Sequence, residues 1–224
     1  MTEARAHILS KLNRAIVRED IGAGSVDDRI ATHNTGPLPK RGQDPDQAAL
    51  AARFVQESDL AGSDIQQLAS RDDVPAVVAA YLRSKNLPPE LRVSSDDIFG
   101  GVPWEGEPGL TIRDGVVDAA DGAALSAAFA GVAETGTLIM ASSPDNPAMH
   151  AFVPLVHMVI LPESRISGNY EAVWADLRHQ FGAQVMPRML NMITGPSRTA
   201  DIEQTLLMGA HGPQSLLIMV IGDL

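Results

Sequence analysis

From Gln47 onward, short apolar runs alternate with segments of helical spacing, and that alternation leaves few folds open to the chain. Ala48 to Glu57, Val74 to Ser84 and Tyr170 to Phe181 read as helices, the second with Pro75 tolerated in its first turn. Strand material lies at Ser63 to Leu68, Leu91 to Val93, Leu110 to Val117, Gly131 to Ala133, Thr137 to Ala141, Met158 to Leu161 and Ser215 to Ile221. Gly122 to Phe129, rich in alanine, reads as a helix. Near-continuous apolar strands are those of a parallel sheet covered on both faces. The expected fold is therefore α/β, a mainly parallel sheet with flanking helices, spanning residues 47–224. Ahead of it, residues 1–46 read as an arm. Ala4 to Glu19 carries one apolar stripe at helical spacing, and Asp20 to Asp46 reads as a long Gly/Pro/Asp-rich loop.

Composition removes several function classes. The formal charge is −11, so a nucleic-acid partner, which needs a basic face, is not expected, and neither is an anionic membrane surface. The 224 residues include no cysteine, which excludes a disulfide, a thiolate nucleophile, a zinc–thiolate site and a cysteine-held iron–sulfur cluster within them. No apolar run reaches the length of a membrane span, and the N-terminal residues lack a signal-peptide core, so the expected location is the cytoplasm.

Asn191 to Pro213 is the segment richest in chemistry. An apolar run, Met189 to Ile193, is broken by Gly195-Pro196, and Ser197 or Thr199 can cap a new helix with Asp201 and Glu203 in its first turn. Gly209 would end that helix, and His211-Gly212-Pro213 would turn the chain into the last strand. The expected unit is strand–helix–strand, with two parallel neighbours. Ser197, Arg198 and Thr199 at such a helix start offer free N–H groups, two hydroxyls and a guanidinium to a carboxylate or phosphate. The plainer alternative is a helix cap by Ser197 or Thr199 with Arg198 paired to Asp201 or another acid. There is no Gly-Lys-Ser/Thr phosphate loop, and the last lysine is Lys85.

Glu134 lies between Gly131-Val132-Ala133 and Thr135-Gly136-Thr137. A carboxylate at a strand end can serve as base or nucleophile when partly desolvated, with Gly136 admitting a ligand to the backbone; otherwise it simply anchors a turn. His211 is a candidate proton carrier in its turn, and His157 opens a buried strand. A metal site built from His150, His157 and His211 lacks the usual tight ligand spacing, so no metal and no cofactor is expected.

Three stretches carry a family resemblance: Gly195-Pro196-Ser197-Arg198-Thr199-Ala200-Asp201-Ile202-Glu203 followed by Gly209-Ala210-His211-Gly212-Pro213; Gly131 to Thr137; and His157-Met158-Val159-Ile160-Leu161-Pro162. Together they resemble the lactate-utilization protein C family, the short LUD-domain proteins, from about Phe54 to the C-terminus. The resemblance implies a NagB/RpiA/CoA-transferase-like architecture and a role in oxidising L-lactate to pyruvate beside partner proteins that bear iron–sulfur clusters. On that basis the chain is expected to be a non-redox accessory component binding a small carboxylate or an acyl- or nucleotide-type ligand in a cavity shared by the Glu134 turn and the Ser197–Thr199 helix start, with Glu134 and His211 as catalytic candidates and Thr135, Gly136, Thr137, Ser197, Arg198 and Thr199 as ligand contacts. Two other functions stay open. One is a free-standing transferase with Glu134 as nucleophile, by analogy with CoA transferases; the other is a scaffold for the cluster proteins. Fold relatives are often dimers or tetramers, so a homo-oligomer is also among the expectations.

Overall fold

The computed structural model describes residues 2–15, 23–33, 35–44, 46–182, 185–201 and 205–222. They form two units, Met1–Pro37 and Leu38–Leu224. The first holds α1 (Thr2–Ala15) and α2 (Ala23–Thr32). The sequence predicts a loop over residues 23–32, and the structure has a helix there. Its polar composition hid a one-stripe helix in which Val26 and Ile30 stand four residues apart.

In the second unit the order is α3 (Gln47–Leu60), β1 (Asp64–Leu68), α4 (Val74–Ser84), β2 (Glu90–Val93), β3 (Thr111–Asp114), β4 (Ala123–Ala127), β5 (Ala130–Val132), β6 (Thr137–Ala141), β7 (Val156–Pro162), β8 (Ile166–Ser167), α5 (Tyr170–Phe181), β9 (Leu190–Ile193), β10 (Arg198–Asp201), β11 (Thr205–Met208) and β12 (Ser215–Ile221). Asp46 caps α3 through Ala48 N–H, and Asn169 caps α5 through Ala172 N–H. The main sheet has six strands, all parallel, in the order β1-β12-β7-β4-β2-β3. A second sheet has the order β8-β5-β6-β9 and is mixed.

Side-chain alternation splits the apolar runs between two cores. Met158, Ile160, Leu217 and Met219 pack with Val74, Val78 and Leu82 of α4. Val159, Leu161, Ile218 and Val220 pack with Phe54 of α3 and with Leu138 and Met140 of the second sheet. A third cluster joins Val132 and Ile139 to Val173 and Leu177 of α5. Every residue of β7 is buried, as a parallel strand covered on both faces requires.

Two sequence expectations are overturned here. Residues 122–129 are not a helix: Ala123–Ala127 is β4, wholly buried between β7 and β2. Alanine's helix propensity is a weak prior, and a slot between two strands overrides it. Nor does a helix follow Ser197. Residues 198–201 and 205–208 pair as an antiparallel hairpin, so Ser197, Arg198 and Thr199 do not form a helix start. The reason lies at its base: Ser197 N–H donates to Pro213 O at 2.9 Å and Ser197 O accepts from Gly209 N–H at 2.9 Å, which commits the chain to a ladder. Glu203 lies outside the described residues. The strand–helix–strand unit fails for the same reason, since β9 lies in the second sheet, antiparallel to β6, and β12 lies in the main sheet.

Candidate functional site

The bend after β9 shapes a cleft. Gly195 has φ +81, and a Cβ there would run into Ala61 O at the end of α3, so only glycine lets the chain turn so close to that helix. Pro196 fixes the next step, and the turn is buried. The His211-Gly212-Pro213 turn packs onto it, with Gly212 directly beside the Ser197 side chain. Together with Phe152, Met192, Leu216 and His157 they enclose a cleft of about 240 Å³ into which Ser197 and His211 bring their polar groups. Leu216 and His157 are the second residues of β12 and β7, so the cleft sits at the amino ends of those strands. The sequence pattern predicts a site beyond a strand's carboxyl end. That holds only for β9, which belongs to the other sheet.

Arg198 does not line this cleft. The guanidinium of Arg198 lies over Gly62 and donates from Nη2 to Ala61 O at 2.6 Å, so it satisfies a terminal carbonyl of α3. The side chain of Thr199 lies outside the described residues.

Glu134 sits elsewhere as well. Its backbone N–H donates to Gly168 O at 3.1 Å, and its carboxylate lies against Gly42, so close that a Cβ at Gly42 would stand 3.1 Å from Oε2. The residue is 8% exposed and, among the described residues, its carboxylate makes no hydrogen bond or ion pair. Its oxygens are not among the buried polar atoms left without a partner, so the carboxylate reaches solvent from an otherwise buried turn.

The two bends are nonetheless joined by a chain of hydroxyls. Thr135 Oγ1 and Thr137 Oγ1 are 2.8 Å apart, and both contact Tyr170 OH, at 3.0 and 2.8 Å. Thr137 Oγ1 also meets Thr194 Oγ1 at 2.7 Å, and Thr194 lines the cleft. Gly136 makes the tight turn between the two threonines, at φ +64. The sequence does not mark Thr194 or Tyr170 as site residues. Thr194 borders the Gly195-Pro196 break, and that position was the only available signal.

The histidines separate into two kinds. His211 is exposed at the mouth of the cleft. His157 is 1% exposed, and its Nε2 lies 2.6 Å from Ser126 Oγ. Burial, helped by the neighbouring His150, pushes its pKa down to about 3, so it is neutral at pH 7. His150 is fully buried, with Nδ1 3.2 Å from Leu125 O and Nε2 3.0 Å from Gly115 O. Burial lowers its pKa, while the two carbonyl contacts oppose that shift. Among the described residues no three His, Asp or Glu side chains gather as a metal site would require, and no helix is long and apolar enough to cross a membrane.

Comparison with known proteins supports this architecture and places it. Residues 112–221 match the LUD domain model. Lactate utilization protein C of Geobacillus thermodenitrificans is 32% identical over 176 residues, 74% of this chain and 70% of that protein. Its Bacillus subtilis counterpart is 33% identical over 93 residues, 41% of this chain and 39% of that protein. An uncharacterized protein of Neisseria meningitidis serogroup B is 41% identical over 100 residues, 44% of this chain but only 42% of the other. The crystal structure of a DUF162 family protein from Deinococcus radiodurans superposes with a TM-score of 0.53 at 20% identity, covering 80% of this chain and all of that one, a likeness of fold. With a match to a lactate utilization protein C that spans most of both sequences, this chain belongs to the lactate-utilization protein C family of LUD-domain proteins.

Proposed function

We propose that the protein serves lactate utilization as a component without iron–sulfur clusters of its own, binding a small monocarboxylate in the Ser197–His211 cleft. The observation that carries this reading is the meeting of the Gly195-Pro196-Ser197 and His211-Gly212-Pro213 turns around about 240 Å³ with apolar walls and few polar groups. His211 and Ser197 supply the donors for a carboxylate, and Phe152, Met192 and Leu216 receive a short aliphatic portion. Arg198, held on α3, is left out of this reading. Electrons leaving lactate would pass to cluster-bearing partner proteins, since these residues include no cysteine. Titration calorimetry with L-lactate and pyruvate tests the proposal. His211→Ala and Ser197→Ala should each weaken binding about tenfold, as expected for a hydrogen bond to a charged group. No binding, or equal binding by all three proteins, would sink it.

A second reading rests on the unpartnered Glu134 carboxylate. As a nucleophile it would attack the carbonyl carbon of an acyl thioester, break the C–S bond, release the thiolate and leave a mixed anhydride on Glu134. Incubation with acyl-CoA followed by hydroxylamine and mass spectrometry should place a hydroxamate at Glu134. An unmodified peptide with acetyl- and propionyl-CoA would dismiss the reading.

A further inference from the structure

A larger crevice opens at the other end of the main sheet. Strand order makes its position special. From β2 the chain passes to β3, toward one edge, and from β4 it passes to β7, toward the other, although β2 and β4 are hydrogen-bonded neighbours. In open α/β sheets, ligands bind outside the carboxyl ends of the two strands where the connections diverge in this way. Here that point holds a crevice of about 470 Å³, nearly twice the volume of the Ser197–His211 cleft.

Its lining combines three kinds of group. Asp96 and Asp97, just after β2, bring carboxylate acceptors; Asp96 spends one oxygen on the Ile98 N–H, at 3.1 Å. Arg165 and Gln180 bring donors, with Arg165 Nη1 steadied on Ala128 O at 3.3 Å. Phe129 and Phe181 form an aromatic wall, their ring centroids 5.9 Å apart. The surroundings are polar beyond what the fold satisfies. Ser94 Oγ, on the first residue after β2, and Asn191 Nδ2, beside Ser142 and Asn146 in an adjoining gap, are buried without a hydrogen bond among the described residues.

We propose that this crevice is a second binding site, taking a ring-bearing, hydroxyl-rich ligand of nucleoside size with no more than one negative charge. The ring lies on the Phe129–Phe181 wall. Ligand hydroxyls donate to Asp96 and Asp97, and Arg165 with Gln180 serves ring acceptors or a single carboxylate. The same two aspartates repel a triphosphate, which sets this site apart from a nucleotide phosphate loop.

Ligand-observed NMR and calorimetry with adenosine, uridine, orotidine (uridine carrying one carboxylate) and UTP test it on the full chain. At least one of the three ligands without phosphate should bind with a dissociation constant below about 1 mM. UTP should bind at least about tenfold more weakly. Asp97→Asn should weaken the neutral nucleosides about fivefold, and Arg165→Ala should remove any advantage of orotidine over uridine. Saturating L-lactate should leave nucleoside affinity unchanged. Absence of binding by all four probes, UTP binding tightest, affinities unmoved by both substitutions in proteins that melt like wild type, or displacement by lactate would each overturn the proposal.

Discussion

At Gly136 one added methyl group meets two obstacles at once. The residue has φ +64, and a Cβ there would collide with the backbone of Glu57 and Ser58, whose hydroxyl donates to Gly136 O at 3.1 Å. Gly136→Ala should destabilise the protein by about 2–4 kcal/mol, combining left-handed strain with overpacking, as urea unfolding would measure. His157 gives a pH signature. Its folded-state pKa is depressed to about 3 from the ordinary 6.5, so between those values the unfolded chain binds the extra proton. The stability that neutral His157 contributes is complete above about pH 6.5 and is lost as pH falls toward 3. Unfolding midpoints from pH 7.5 to 4.5 should drop less steeply in His157→Gln than in wild type; parallel curves would show that another group governs the acid limb. Residue identity made His157's burial readable, because it heads an unbroken apolar run. The fate of Arg198 was not readable, since its partner is the carbonyl of Ala61, 137 positions away.

Long apolar runs announced their elements, and small or polar ones did not. β7, β12, α4 and α5 follow from periodicity and caps alone, because burial on both faces, or on one stripe, dictates the residue pattern. β4 is spelled Ala-Ala-Leu-Ser-Ala, and its strand state comes from the neighbours it lies between. The hairpin of β10 and β11 was hidden for a related reason. Ser, Thr, Asp and Glu near a break suit a helix start, but hydrogen bonds from Ser197 to Pro213 and Gly209 decide otherwise. This element also sets what Arg198 does. Arg198→Ala should cost about 1 kcal/mol, the worth of its bond to the end of α3, and leave carboxylate affinity in the cleft unchanged. Thermal melts and calorimetry on one preparation check both halves, and a lost affinity at unchanged stability would return the guanidinium to the ligand.

Taken whole, the α/β class was legible because six parallel strands need alternating helices and apolar runs to cover them. Which strand ends adjoin a cavity was not, because strand order is a long-range property that no local pattern encodes. The three clusters of buried side chains all fall within Leu38–Leu224. A chain starting at Leu38 should therefore unfold cooperatively, with a midpoint close to that of the full-length protein by circular dichroism. Exposed Ile8, Val26 and Ile30 make residues 1–37 the part whose removal should instead reduce association, read by light scattering. A truncated protein that melts without cooperativity would show that the cores depend on the N-terminal unit.

The four linked hydroxyls of Thr135, Thr137, Tyr170 and Thr194 own four protons and share four contacts. All four contacts can be hydrogen bonds only if Thr194 points its proton inward to Thr137, which leaves its oxygen, on the lining of the cleft, as an acceptor for the proposed monocarboxylate. The wall of the cleft then asks its visitor for a proton to accept. L-lactate has an alcohol to offer and pyruvate has only a ketone, so the reduced acid should be held more tightly, by about 1 kcal/mol. Paired titrations would read that preference, and Thr194→Val should erase it.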